Sequence, residues 1–514
     1  MNYSESFPTI VSHAKEQGFV FPSSEIYDGL GATYDYGPMG VLMKRNLQQL
    51  WWQAMVQLND NVVGLDAAIL MAPKVWEASG HLAAFNDPLI DNKDSKKRYR
   101  ADQLIEDQIA KYWKKAEKDV KKKAKKEGWE PGSEAWENYL QNSRNAKKAI
   151  ALQEELAQAL KSNDLQALKR IIEDQGIADP ESGSKAWTEV RQFNLMFSTQ
   201  LGAVSGEGGE LYLRPETAQG IFVNFLNVQK TQRLSLPFGI AQMGKAFRNE
   251  IIARQFIFRM REFEQMEMQF FVQPGQQMQW FEHWQAQRTR WHHALGIRPE
   301  RLRVHTHEKL AHYADAAIDL EFEFPFGFKE LEGVHSRTDF DLARHEEFSG
   351  KKLRYFDPET RESFIPYVIE TSLGLDRTFL THLCNAYHEE EAPNPKGGTD
   401  TRTVLKLHPL VAPVKAAVFP LVKKDGMPEA ARKLFDDLRW DFQVILDEKD
   451  SVGRRYRRQD ARGTPFCITV DEETVANERV TVRDRDTMQQ EIVHTNELKA
   501  YLHRKLDPRT VLAG

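Results

Sequence analysis

The sequence predicts an α+β protein in which an antiparallel-sheet domain carries a helical insertion and is followed by a smaller α/β domain. Three observations predict it. Strand-like segments crowd residues 186–380 (LYLRPE, RLSLPFGIAQM, FRMREFEQMEMQFF, AIDLEFEFPFG, FIPYVIE) with few helices between them, the pattern of an antiparallel α+β domain. Residues 101–180 are instead rich in Ala, Glu, Lys and Gln at helical spacing, which reads as an inserted helical subdomain. Beyond a charged, Pro- and Gly-bearing stretch at 388–404, expected to be a linker, strands and helices alternate over 405–514 as in a mixed-sheet α/β domain.

Composition bounds the function classes. A chain of 514 residues, 41% hydrophobic, exceeds what one core usually spans, so two or three domains are expected. Lys plus Arg total 70 against 75 for Asp plus Glu, so any polyanion contact is local rather than driven by a global field. Two cysteines, Cys384 and Cys467, make neither a disulfide framework nor a thiolate metal site and suit a reducing compartment. No apolar run reaches membrane-spanning length, and MNYSESFPTIVSHAKEQ lacks a basic-then-apolar signal, so a cytoplasmic location is expected.

In order along the chain, residues 1–100 mix short helical patterns with turns (YDGLGATYDYGPMG) and reach the apolar stretch VVGLDAAILMAP ending at Pro73. With the insertion at 101–180, the sheet domain is expected over 1–400. Within the insertion, 111–126 holds nine lysines against two acids; a solvated helix face is the simpler reading and an RNA-phosphate contact the alternative. GIAQMGKA at 239–246 has P-loop spacing, but Ala246 stands where a magnesium-binding hydroxyl is needed and the segment runs on as strand, so it is set aside. His305, His307 and His312 lack the spacing and acidic neighbours of a zinc site.

The stretch FRNEIIARQFIFRMREFEQMEMQFF at 247–271 carries more information. Its second half alternates, with Arg259, Arg261, Phe263, Gln265, Glu267 and Gln269 on one face and Met260, Met266, Met268 and Phe270 on the other. FRNE, a loop of about eight residues and FRMREF would form a hairpin. Its face suits a nucleoside triphosphate, because guanidinium forks spread phosphate charge, a ring stacks on a base and a carboxylate accepts from an exocyclic amine. An exposed polar sheet face would also explain it.

IETSLGLDRTFL at 369–380 adds a carboxylate, a hydroxyl, a glycine and Arg377 at a strand-to-helix passage. Together, FRNE with RMREF resembles motif 2 of class II aminoacyl-tRNA synthetases, GLDR resembles motif 3, and the stretch ending at Pro73 resembles the dimer-forming motif 1. DYGPMG, ASGHLAAFNDPL, RYRAD, LYLRPETAQGIF, KELEGVHSRTDFDL and IETSLG are similar to glycyl-tRNA synthetases of the homodimeric type, over nearly all the chain outside 101–180. Two departures stand out: Asn92 and Ser95 occupy places where many relatives carry cysteines, and Ser372 stands where motif 3 often opens with glycine.

The resemblance implies a class II catalytic domain with a C-terminal anticodon-binding domain at 405–514. It also implies glycine, ATP, Mg2+ and tRNA(Gly) as ligands and a homodimer. It assigns Arg248 to the α-phosphate and the incoming carboxylate, Glu250 to the adenine amine and Phe263 to the base. Arg377 covers the base or reaches the γ-phosphate, and Arg259 or Arg261 grips the phosphate tail. Glu330 is the magnesium carboxylate with Leu331 beside it. Asn249, Phe258, Met260, Glu262, Gly374, Leu375 and Asp376 complete the ATP-binding set. The glycine set is Arg100, Glu216, Phe263, Glu264, Gln265, Met266, Glu267, Glu370, Thr371, Ser372, Leu373 and Gly374. In SVGRRYRRQDARG, Arg454, Arg455, Tyr456, Arg457 and Arg458 are tRNA candidates, since basic helices with an aromatic suit RNA loops; arginines paired with acids of their own domain are the alternative. A non-catalytic nucleic-acid-binding or polymerase accessory protein need not keep Arg248, Glu250 and Arg377. A synthetase for another small amino acid would separate in an amino-acid activation panel.

Overall fold

The computed structural model describes residues 3–202, 209–251, 255–307, 310, 314–393 and 398–512; His312 lies outside them. The chain forms two compact units, one of Met1–Ser79, Ser198–Arg248 and Ala253–Gly514, the other of Gly80–Phe197 and Asn249–Ile252.

The first unit is built on a seven-stranded sheet. Its strands are β1 (Val62–Gly64), β2 (Phe238–Phe247), β3 (Glu262–Val272), β4 (Leu302–Thr306), β5 (Ala316–Phe324), β6 (Gly327–Thr338) and β7 (Tyr367–Gly374), in the order β4-β5-β6-β7-β3-β2-β1. Only β1 pairs parallel to its neighbour; the other pairs are antiparallel. Five helices matter for the site: α1 (Pro38–Trp52), α2 (Ala218–Gln232), α3 (Gln277–Ala294), α4 (Phe340–Ser349) and α5 (Leu375–Ala386). The alternation of β3 explains its two faces. Met266, Met268 and Phe270 are fully buried in the main core, with Phe270 against Trp280 and Trp284 of α3 at centroid distances of 4.7 and 5.3 Å. Gln265, Glu267 and Gln269 point the other way.

The hairpin differs from expectation in its connection. The last pair of the ladder is Phe247 with Glu262, so the FRMR half of the motif lies in the connection and not in the strand. The reason is local: Phe256, Ile257 and Phe258 make a short 3-10 turn whose side chains are buried, and this closes the alternation before it reaches Arg259.

The segment 388–404 is not a linker. Tyr387–Pro393 and Thr399–Leu405 form an antiparallel pair, because alternate residues of HEEEA and TDTRTV face each other and Arg402 is buried between acids. Its guanidinium reaches Glu390 and, at 2.9 Å, Asp460. Beyond it stands a five-stranded sheet in the order Val444–Leu446, Ala416–Pro420, Phe466–Val470, Arg479–Asp484, Gln490–His494, the first three parallel and the rest antiparallel. This is the mixed sheet the alternation predicts.

The second unit has helices Ala101–Glu127, Glu134–Asn142, Arg144–Lys161 and Leu165–Asp174, the first, third and fourth packed through Leu104, Ile105, Ile109, Leu152, Leu156, Leu168 and Ile172. It is wider than the helical run alone, since three strands, Arg98–Arg100, Asn86–Asp91 and Arg191–Asn194, pair into a sheet at its base. The lysines of the first helix lie mostly on its exposed side, as the solvated-face reading expects.

Candidate active site

The polar face of the sheet is assembled by register. On β3 and β7, Glu267 stands opposite Ser372, Gln269 opposite Glu370 and Gln265 opposite Gly374; on β7 and β6, Ser372 pairs with Gly333 and Glu370 with His335. The segment leading into α2 adds Glu216 and Thr217, and α4 adds Asp341.

Two buried carboxylates anchor this face. Glu267 accepts from the Ser372 hydroxyl at 2.6 Å, from Gln265 Nε2 at 3.2 Å and from the Thr217 hydroxyl. Burial raises its pKa, and the neighbouring charges of Glu370 and Glu216 raise it further. Burial works in the same direction on Glu370, but Arg337 and His335 hold its carboxylate well below the usual range. Its oxygens accept from Gln269 Nε2 at 2.7 Å, His335 Nδ1 at 3.0 Å and Arg337 Nη1 at 3.2 and 3.3 Å. Arg337 in turn is held by Asp341 at 2.8 and 3.0 Å, and Gln219 bridges Asp341 to Glu216 at 3.1 and 2.9 Å. Environments that push neighbouring carboxyl pKa values apart cluster at functional sites. The acids outnumber the bases, which is what an ammonium group asks of a pocket.

Toward one end of the same face the charge reverses. The Arg248 guanidinium lies 5.2 Å above the Phe263 ring, and its Nε donates to the Pro215 carbonyl at 3.0 Å. Arg377, in the first turn of α5, reaches Glu330 at 3.0 Å, donates to the Phe258 carbonyl at 3.3 Å and covers the Phe258 ring at 4.4 Å; its charge holds the Glu330 carboxylate below the usual range. The Arg261 main-chain N–H and its Nη1 donate to the carbonyls of Ala32 and Gly31 at 2.9 and 3.0 Å. Cations beside an aromatic ring are the groups that phosphate charge and a base ask for.

Several expected site residues are placed elsewhere, mostly by strand parity. Met260, Met266, Leu331, Leu373 and Leu375 lie in the core, and Phe258 packs its ring against Phe324 and Phe326. Thr371 is buried on the core face of β7. Glu264 and Asp376 belong to a network with α1: Lys44 reaches Glu264 at 2.7 Å, Gln48 donates to it at 2.7 Å, and Asp376 accepts from Tyr36 and from the Glu264 N–H. Glu262 pairs with Lys245. The core-buried ones among them offer a ligand only main chain. Arg100 belongs to the second unit, where Asp87 and Asp102 bind its guanidinium at 3.1 and 2.6 Å; Asn249 and Glu250 group with that unit too.

The basic helix Val452–Arg462 is likewise sorted by helical period. Arg455 is buried and donates to the Asp450 carbonyl at 2.9 and 3.1 Å, and half-buried Tyr456 bonds Thr469 at 2.6 Å. Both side chains are engaged within the fold, and burial takes the Arg455 guanidinium away from its expected RNA contact. Arg458 is paired with Asp447 at 2.6 Å and with Asp450. Arg454, whose side chain is 78% exposed, and Arg457 stay on the surface.

Sequence reasoning missed Thr217, Gln219, Gln242, His335, Arg337 and Asp341 as members of the buried network. The signal was present in RPETAQGIF and VHSRTDFDL, whose charged residues recur at period two inside a strand or open a helix. It also missed Arg214, whose guanidinium donates to the Lys245 and Ala67 carbonyls at 2.7 and 2.8 Å under Gly244, where a Cβ would come within 2.2 Å of Arg214 Nη2.

Comparison with known proteins follows the same divisions. Residues 87–195 match the glycyl-tRNA synthetase insertion domain 1, residues 202–386 the tRNA synthetase class II core domain (G, H, P, S and T), and residues 415–505 an anticodon binding domain. The glycine–tRNA ligase of Chlorobaculum tepidum is 52% identical over 498 residues, covering 97% of this chain and 99% of its own length. That of Staphylococcus haemolyticus is 50% identical over 500 residues, 97% and 98% respectively, and that of Staphylococcus saprophyticus 48% over 505 residues, 98% and 99%. With a class II core whose polar sheet face joins an acid-rich pocket to an arginine cradle, and identity of this extent over nearly the whole chain, the chain belongs to the glycine–tRNA ligase family of class II aminoacyl-tRNA synthetases.

Proposed function

We propose that the chain activates glycine with ATP and transfers it to the 3′ end of tRNA(Gly). The observation that carries this reading is the pairing, on one sheet face, of the cluster of Glu216, Glu267, Glu370 and Ser372 with the Arg248, Phe263 and Arg377 group. A glycine carboxylate oxygen attacks the α-phosphorus, the bond to the bridging oxygen breaks and pyrophosphate leaves. A terminal ribose hydroxyl then attacks the glycyl carbonyl, a proton is lost, and AMP departs. No protein nucleophile is needed, so the residues act by position and charge. Arg248 meets the α-phosphate, Phe263 stacks on the adenine, and Arg377 with Arg259 or Arg261 takes the phosphate tail. Glu370 and Glu267 receive the ammonium. Arg100 on the carboxylate side and Glu250 on the adenine amine are carried by the family resemblance.

Among the described residues no group of three or more His, Cys, Asp or Glu could hold a metal ion, but Glu330 offers one carboxylate beside Arg377, which fits a magnesium ion bound mainly through phosphate oxygens. Bound there, Mg2+ would neutralise phosphate charge. Arg454 and Arg457 are the proposed tRNA contacts of the C-terminal domain. A homodimer paired through the stretch ending at Pro73 is part of the reading, carried by the family resemblance. No helix among the described residues is long and apolar enough to cross a membrane, and a cytoplasmic location fits the substrates.

ATP–pyrophosphate exchange across a panel of amino acids tests the reaction. Glycine alone should support rapid exchange; preference for any other amino acid would overturn the assignment. Sedimentation should give a dimer, and a fully active monomer at nanomolar concentration would count against the oligomeric part.

A further inference from the structure

We infer that His335 is a positioning residue for amino-acid recognition: it fixes the direction in which Glu370 presents its carboxylate to the substrate ammonium. The inference rests on the glycine pocket proposed above. Glu370 Oε1 receives His335 Nδ1 at 3.0 Å and Arg337 Nη1 at 3.2 Å, while Oε2 receives Gln269 Nε2 at 2.7 Å. A carboxylate has about four acceptor positions, and three donors arriving from different directions, with Arg337 Nη1 reaching both oxygens, fix the way the group is turned. His335 stands directly opposite Glu370 in the β6–β7 ladder, and that register supplies the short contact.

The ring is itself held. Gly333, two residues earlier on the same face, has no side chain, and a Cβ there would lie 2.8 Å from His335 Cε1 and 3.0 Å from Nε2; the imidazole fills that space. The His307 ring stands edge-on at 6.5 Å, and the Asp319 carboxylate lies 3.7 Å from the same Gly333 Cβ position. The His335 side chain is 24% exposed and that of Glu370 6%, so the histidine sits at the rim with its bonded carboxylate inside. Arg337 alone would leave Oε1 with one donor, Nη1, which is divided between Oε1 and Oε2 at 3.2 and 3.3 Å. A Glu rotamer freed at one oxygen loses the orientation on which a contact to a group as small as an ammonium depends.

The experiment is glycine-dependent pyrophosphate exchange on His335→Ala, His335→Asn and His335→Gln, with Glu370→Gln beside them. An asparagine amide nitrogen lies where imidazole Nδ1 lies, whereas a glutamine amide reaches the Nε2 position. The expected result is a rise of about tenfold or more in KM for glycine in His335→Ala and His335→Gln, with KM for ATP within about twofold. His335→Asn should recover most of the loss. Gly333→Ala, which displaces the ring, should raise KM for glycine in the same sense. An unchanged KM in His335→Ala, or equal losses in the Asn and Gln variants, would overturn the inference, the latter by assigning the residue to packing. Should His335→Ala not fold, the Asn and Gln pair carries the same comparison. If Glu370→Gln itself leaves KM for glycine unchanged, the pocket assignment fails rather than the role of His335 within it.

Discussion

Ser372 and Glu370 sit on the same face of one strand, and their chemistry sets how the pocket can refuse alanine, which differs from glycine by one methyl. A larger pocket would gain from that methyl roughly 1 to 3 kcal/mol, so attraction cannot favour glycine. Exclusion must come from occupied volume. Here Ser372 is bonded to Glu267 and Glu370 is held by three donors, so neither moves aside cheaply. Glu370→Ala is expected to abolish glycine activation through the lost ammonium contact. Ser372→Ala should weaken glycine and relax the block on alanine, narrowing the glycine-to-alanine ratio of kcat/KM by about tenfold, as pyrophosphate exchange with both amino acids would measure. If the unmodified chain activates alanine as readily as glycine, the steric argument fails.

At the scale of elements, legibility followed periodicity. β3 could be read because Met266, Met268 and Phe270 need burial on one side and Glu267 needs partners on the other, so the alternation carries the face assignment. The same alternation misled for Arg259 and Arg261, since a buried aromatic turn at Phe256–Phe258 has no period-two signature, and it could not show which parity a neighbouring strand adopts, hence the misplacement of Thr371 and Leu373; Glu264, on β3 itself, falls by that same alternation on the Met266 face. The pair Tyr387–Pro393 and Thr399–Leu405 was illegible because its stability comes from a distant acid, Asp460, which receives Arg402 at 2.9 Å and Arg483 at 2.8 and 3.1 Å. Arg402→Met removes hydrogen bonds to a charged group while Arg483 keeps Asp460 paired, so it should lower stability by about 1.5 to 3 kcal/mol in urea denaturation, and adding Asp460→Asn, which strands the buried Arg483, should deepen the loss. Strict additivity of the two losses would show that the pair is not coupled.

For the molecule as a whole, the C-terminal domain is tied to the sheet domain rather than strung from it. Arg402 reaches Asp460, and His13 Nε2 lies 2.8 Å from the Ala461 carbonyl. Deleting 405–514 should consequently destabilise the remaining chain as well as remove tRNA contacts. A truncation that keeps both full thermal stability and full adenylate formation would refute this coupling.

Buried histidines set a further property of the whole fold, its response to acid. His382, on α5, is buried, and burial lowers its pKa to about 3; His408, lowered to about 4 by burial with Lys415 and Arg485 nearby, behaves alike. Both are neutral in the folded chain at pH 5.5, whereas in the unfolded chain an ordinary histidine, with pKa near 6.5, is already mostly protonated. The unfolded state then binds more protons, so stability falls as pH drops through 6.5 and continues to fall toward the folded values. Each such group costs about 1.4 kcal/mol per pH unit below 6.5. Glu267, whose carboxyl is raised, and His335, where burial is outweighed by Glu370 and the pKa is raised, pull the other way, while His13, His292, His345 and His388, lowered by burial, add to the decline. Denaturant midpoints at pH 7.5, 6.5 and 5.5 should therefore decline by an amount equivalent to about 1 to 2 kcal/mol over the last unit, and His382→Leu should flatten that decline. A flat profile in the unmodified protein, or an unaltered slope in the variant, would mean that these histidines take up protons in the folded chain.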